Sequence, residues 1–148
     1  MERGAWTMDD ERCVLRFGVG NMDFRRVTEM LAGAFWCPGI SIGEVEKGAA
    51  NSALVVGAFL GDLQIGYGRC ISDKTRFAYI LDVYVDPRYQ RRGIGRRMVR
   101  SMMAHPDMAD VYQWALVTKD AHGVYRELGF APTARPGDWM EIRNPRPR

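Results

Sequence analysis

The chain has 148 residues, is 47% hydrophobic and 26% charged, and carries a formal net charge of +3; these figures suit one soluble globular domain spanning 1–148 and do not by themselves imply nucleic acid as a partner. The three cysteines, Cys13, Cys37 and Cys70, are odd in number, far apart and without CxxC or Cys/His spacing, so no zinc site or disulfide framework is expected and a reducing cytoplasm is the default. No apolar run approaches the roughly 18 residues of a membrane span, and the opening MERGAWTMDDER has no signal-peptide apolar region.

Cys13 to Phe17 alternates weakly and reads as a first strand. Met22 to Trp36 reads as a helix, with Phe24, Val27, Leu31 and Phe35 on one face and Asn21 or Asp23 as its cap. Cys37-Pro38-Gly39 ends it, and a short second helix covers Ile42 to Ala50. Ala53 to Leu60 and Leu63 to Ser72 flank Gly61-Asp62 and form a hairpin. Phe77 to Val85 follows the turn SDKT as a third long strand. Ile94 to Ala104 is helical and stops at His105-Pro106. Tyr112 to Thr118 is a strand, and Ala121 to Leu128 is a short helix capped by Asp120 and closed by Gly129. Phe130 to Ala134 and Trp139 to Ile142 are expected as the last strands. Antiparallel strands leading into a β-α-β crossover give a mixed sheet in an α+β (α/β) domain.

The most informative stretch is ILDVYVDPRYQRRGIGRRMV. An apolar strand stops at Asp86-Pro87, a Gly-x-Gly turn follows, and a helix begins at once. A helix start leaves backbone N–H groups unpaired and adds positive dipole, and glycine lets the backbone approach a phosphate. Five arginines fall between Arg91 and Arg100, and three more lie in the basic tail 143–148. Arg92 to Arg96 therefore reads as a pyrophosphate cradle, with Arg91, Arg92, Arg96 or Arg97 adding charge. Arg97 and Arg100 are better placed on a solvated helix face. The Walker string is absent, and the dinucleotide fingerprint fails because Met98 replaces its third glycine.

The string QRRGIG, with TKDAHGVYRELGF after the next strand, resembles the acyl-CoA signatures of the GNAT N-acetyltransferase superfamily. The likeness extends from about Val14 to Ile142. It implies a GNAT fold: a central, mostly antiparallel sheet with a splayed parallel pair, flanked by about four helices. It implies transfer of an acetyl group from acetyl-CoA to a primary amine, on a small molecule or a protein, by direct attack. By the same resemblance, the backbone of Val83, Tyr84 and Val85 pairs with the cofactor arm, and an N–H near Val83 polarises the thioester carbonyl. Gln90, Arg91, Arg92, Gly93, Ile94, Gly95 and Arg96 hold the pyrophosphate. Tyr125 matches the family's proton donor; its alternative is a core tyrosine. Asp120 stands where the family often has Asn, either contacting the cofactor or only capping the helix. His122 is assigned to the rim near the cofactor.

Asp82 lies inside the apolar strand AYILDVYV, where a lone carboxylate is costly unless paired. It reads as general base or amine anchor, or else as a buried acid held by backbone N–H groups. Strict alternation groups it with Ala78, Ile80 and Tyr84, unless a bulge changes the facing. Phe35, Trp36, Tyr79 and Trp139 are candidate acceptor walls, with Glu44, Glu46 and Glu141 as candidate anchors; Cys70 and the methionines read as core. The alternative function is a catalytically silent acyl-CoA-binding module. Nucleic-acid binding through the two basic strings lacks interleaved aromatics, and a homodimer is compatible with the family but has no visible interface in the sequence.

Overall fold

The computed structural model describes residues 12–146. The N-terminal stretch read above for a leader lies outside them, as do the last two residues of the basic tail. Five strands form one sheet: β1 (Cys13–Phe17), β2 (Leu54–Leu60), β3 (Leu63–Ser72), β4 (Phe77–Val85) and β5 (Gln113–Leu116). Their spatial order is their chain order. β1 to β4 are antiparallel neighbours and β5 joins β4 in parallel. The described residues also form four α-helices: α1 (Phe24–Ala32), α2 (Ile42–Ala50), α3 (Ile94–Met103) and α4 (His122–Glu127).

Alternation along the strands builds a core on each face of the sheet. Leu54, Val56, Ala58, Ile65, Ala78 and Ile80 pack on one side against Ile94, Met98, Val99 and Met102 of α3. Val55 and Tyr67 pack on the other side against Val27, Met30 and Leu31 of α1 and Val45 and Ala49 of α2. α1 starts where the Asp23 carboxylate accepts the Arg26 N–H, and α2 where the Ser41 hydroxyl accepts the Glu44 N–H. Across the Gly61-Asp62 turn, Leu60 pairs with Leu63, as a two-residue hairpin requires.

Several elements differ from the sequence reading. α1 ends at Ala32, not Trp36, because Gly33 closes it and the Gly39 N–H takes the Ala32 carbonyl. Phe35 consequently leaves the helical face and is 60% exposed. β5 stops at Leu116 instead of Thr118, because its neighbour β4 turns away beyond Ile80. Residues 130–134 and 139–142 are not strands. Pro132 and Pro136 remove ladder donors, and the Trp139 N–H closes a turn onto the Pro136 carbonyl. Arg97 is not a solvated side chain: its Nη2 donates to the Cys13 carbonyl at 3.2 Å and ties α3 to β1.

A buried polar strut that the sequence reading missed joins α1 to the far end of β4. Gln64 is fully buried; its Oε1 accepts the Asp23 N–H at 2.9 Å, and its Nε2 donates to the Gly66 carbonyl at 3.0 Å. A Cβ on Gly57 would come within 2.6 Å of Gln64 Nε2, so a larger residue there would displace the amide. Arg26 Nε donates to the Gln64 carbonyl, and Arg26 Nη2 pairs with Asp86, which also accepts from the Arg88 side chain and backbone. Burial opposes ionisation of Asp86, but hydrogen bonds from Arg88 and Arg26 outweigh it and bring its pKa down to about 2.

Asp86 thus binds its proton more weakly folded than unfolded, and its stabilisation is complete above about pH 4 and lost as the pH falls through about 2. Asp86→Asn is expected to cost about 2 kcal/mol at neutral pH. Urea unfolding at pH 7 and pH 3 checks this; a cost that does not shrink at the lower pH would contradict the assignment.

Candidate active site

The site begins with a fault in the sheet. β4 and β5 pair from Phe77 opposite Gln113 to Ile80 opposite Leu116, and there the ladder ends. Two residues on, Asp82 adopts φ +56°, a left-handed conformation unusual for a non-glycine residue. On the β3 side, Tyr67 faces Tyr84 and Arg69 faces Leu81, which leaves Asp82 and Val83 together opposite Gly68. This is a β-bulge. It reverses the alternation: Val83 and Val85 join Ala78 and Ile80 on the α3 side, while Tyr84 packs with α1 and α2. Asp82 therefore does not share a face with Ile80.

On that second face Asp82 is fully engaged. Its Oδ2 accepts Arg69 Nε at 2.8 Å and its Oδ1 accepts Trp36 Nε1 at 2.9 Å. Arg69 also donates to the Gly48 carbonyl at 3.3 Å and the Ser52 hydroxyl at 3.2 Å, which anchors the pair to α2 and the turn after it. Arg69 is the partner that the sequence reading lacked. A lone arginine in an apolar strand, antiparallel to a strand with a lone aspartate, was the available signal.

The divergence opens a cleft of about 470 Å³. Asp82 and Val83 from β4, Tyr125 from α4, and Phe35, Trp36 and Tyr79 line it together. Asp120, Lys119 and Arg143 border it as well. Tyr125 is half-buried and meets Phe130 edge-on at 5.9 Å. Burial pushes its hydroxyl pKa up, so it stays protonated through the neutral range. Asp120 does not cap α4: Ala121 holds the cap position, and its N–H is taken by the Thr118 hydroxyl at 3.0 Å.

Beyond the cleft the β4 edge runs into a second cavity of about 270 Å³, formed by Val85, Tyr89, Gln90, Arg91, Gly93 to Arg96 and Val124. Gly93 sits at φ +78° as the residue before α3, and a Cβ there would press on the Arg96 guanidinium at 3.2 Å. The first-turn N–H groups of α3 therefore open into this cavity without intrahelical partners. Gln90 Nε2 braces the loop by donating to the Val85 carbonyl at 2.9 Å. Ile94 is buried in the core beneath. Val124 of α4 borders this cavity and is partly exposed.

The arginines divide. Arg96 pairs with Glu127 at 2.5 Å. Arg88 and Arg92 flank the Tyr89 ring at 5.5 and 5.6 Å. Arg91, at φ +66°, is exposed and makes no side-chain bond among the described residues.

Other candidates are not brought together. His122 and Trp139 border a third hollow, of about 530 Å³, beside β5. Glu44 pairs with Arg146 at 3.5 Å, while Glu46 and Glu141 are exposed away from the cleft. No group of three His, Cys, Asp or Glu side chains among the described residues is placed to hold a metal ion. No helix among them is long and apolar enough to cross a membrane.

Residues 51–132 match the family model for the acetyltransferase (GNAT) domain. A GNAT-family protein from Xanthomonas campestris superposes with a TM-score of 0.81 at 30% identity, covering 89% of this chain and 94% of that one. A GNAT-family acetyltransferase from Streptococcus pneumoniae gives 0.69 at 21% identity, over 92% and 99%. A Clostridium acetobutylicum protein solved with acetyl-CoA gives 0.68 at 17% identity, over 88% and 96%. No curated protein sequence matches the chain.

If the bulge depends on the conformation of residue 82 as well as on its charge, Asp82→Asn is expected to be more stable than Asp82→Ala by about 1 kcal/mol. Asparagine tolerates the left-handed region and can still accept from Trp36. Equal urea midpoints for the two variants would show that backbone conformation contributes nothing there.

Proposed function

Because the chain belongs to the GNAT acetyltransferase family, we propose that it transfers an acetyl group from acetyl-CoA to a primary amine by direct attack. The observation that carries this reading is the continuity of the unpaired β4 edge. It runs from the cleft that holds Tyr125 to a helix-start cavity suited to phosphate. The residues fit an acyl-CoA. The backbone of Val83, Tyr84 and Val85, free of β5, supplies strand-like hydrogen bonds to an extended amide arm. Gln90 to Arg96 supply N–H groups and charge to a pyrophosphate, with Arg91 the uncommitted cation.

Acetyl-CoA, when bound, supplies the activated thioester. A backbone N–H near Val83 donates to its carbonyl, and this counts most once charge builds on that oxygen. Tyr125 donates its proton to the departing sulfur. The acetyl carbon exchanges a bond to sulfur for one to nitrogen, and the proton that the amine loses balances the one that the thiolate gains. In this reading Asp82 is an anchor and not a free base. Both its oxygens are already bound, and its hold on Trp36 sets the acceptor wall. Asp120 and Thr118 stand at the mouth of the cleft beside the arm, and Phe35, Trp36 and Tyr79 face the acceptor.

A homodimer is part of the proposal. Among the described residues the outer edge of β5 is unpaired, and Met140 and Ile142 are 95% and 91% exposed. Sedimentation as a monomer at micromolar concentration would remove this part. The three buried free cysteines fit the reducing compartment, the cytoplasm, that the proposal assumes.

Thermal shift with CoA, ATP and NAD, followed by release of CoA thiol over a panel of amines, tests the enzymatic reading. Stabilisation by CoA with no thiol release would favour the silent module. Tyr125→Phe is expected to lower kcat on the order of 100-fold with little change in acetyl-CoA affinity; unchanged kcat would reject the proton-donor role.

A further inference from the structure

We infer that the acceptor amine carries a carboxylate next to an apolar or aromatic body, an amino-acid-like substrate and not a polycation. The inference rests on the N-acetyltransfer reading and extends it to the acceptor end of the cleft. Four charged side chains border that cleft: Asp82, Asp120, Lys119 and Arg143. A site for a cationic amine needs carboxylates to spare. Asp82, the innermost, has none to give, because Arg69 neutralises it and Trp36 occupies its other oxygen. Asp120 is the one bordering carboxylate without a described partner, and two cations border the same cleft.

Both cations are uncommitted. Neither Lys119 nor Arg143 has a carboxylate within 4.0 Å among the described residues, whereas Arg69, Arg96 and Arg146 are paired. Lys119 Nζ lies 5.0 Å from the centre of the Phe35 ring, so the ring positions it at the mouth. Phe35 meets Trp36 edge-on at 5.1 Å, and Trp36 is held by Asp82. The ammonium is thus tied, through two aromatic rings, to the bulge that creates the cleft. Arg143 comes from the C-terminal segment, whose Arg146 is fastened to Glu44 of α2 at 3.5 Å. A guanidinium fork and an ammonium across one opening suit a carboxylate. Phe35, Trp36 and Tyr79 cover the body.

The test uses the full chain with acetyl-CoA. CoA release is measured for the twenty amino acids, for their primary amides, and for simple cationic amines and polyamines. At least one amino acid with an apolar or aromatic side chain is expected to exceed its amide in kcat/KM by about tenfold or more, the value of one charge-assisted contact. Arg143→Ala combined with Lys119→Ala is expected to bring that ratio near unity by raising KM for the acid. Both side chains are exposed, so a retained melting temperature verifies the fold of the variant. Turnover of amides or cationic amines with no preference for acids would overturn the inference and leave acetyl transfer standing. A preference that survives the double variant would overturn the assigned residues. No release with any amine would overturn acetyl transfer, and this inference with it.

Discussion

One ion pair shapes the site. Arg69 and Asp82 stand on adjacent antiparallel strands, and their contact holds residue 82 in a left-handed conformation that the backbone would otherwise avoid. The extra residue bends β4, which leaves β5 after four paired positions. A regular ladder would carry β5 alongside Val83 to Val85 and consume the backbone groups that an extended ligand needs. The strain is local and the stabilisation is local, so the divergence is built into the resting protein.

The same pair sets the second face of the cleft. Asp82 accepts from Trp36, Trp36 leans on Phe35 and Tyr84, and Lys119 rests over Phe35. Charge at the sheet fault is thereby transmitted to the mouth of the cleft through aromatic contacts and not through a chain of exposed salt bridges, which would be worth little. The strut of Arg26, Gln64 and Asp86 acts similarly at the other end, where it fixes the end of β4 immediately before the glycine loop.

Much of this was legible in the sequence where a local rule governs. The Gly61-Asp62 hairpin, the start of α3 after Gly93 and the cap of α1 follow from turn and capping chemistry acting over a few residues. QRRGIG and the segment around Tyr125 pointed to residues that line the two cavities along β4. What escaped depends on partners far apart in the chain. Arg69 with Asp82 and Arg26 with Asp86 need the strand register before they can be seen. The fate of Phe35 was misjudged because helical spacing continues past Gly33 while the helix does not. The expected strands at 130–134 and 139–142 fail because Pro132, Pro136 and a missing neighbour leave this stretch irregular. Lys119 and Arg143 carry no motif, and only the cleft gives them a shared address.

The strand order, β1 to β5 in both chain and space, bears on how the protein is made. As residues leave the ribosome, each new strand after the first finds its neighbour already present, so the sheet can lengthen at one growing edge without rearrangement. The exception is the pairing of β1 with β2, which must wait for α1 and α2 and closes a loop of nearly forty residues. The cleft needs β5 and α4, so it is the last feature to form. A nascent chain therefore completes its glycine loop before the cleft beside it exists.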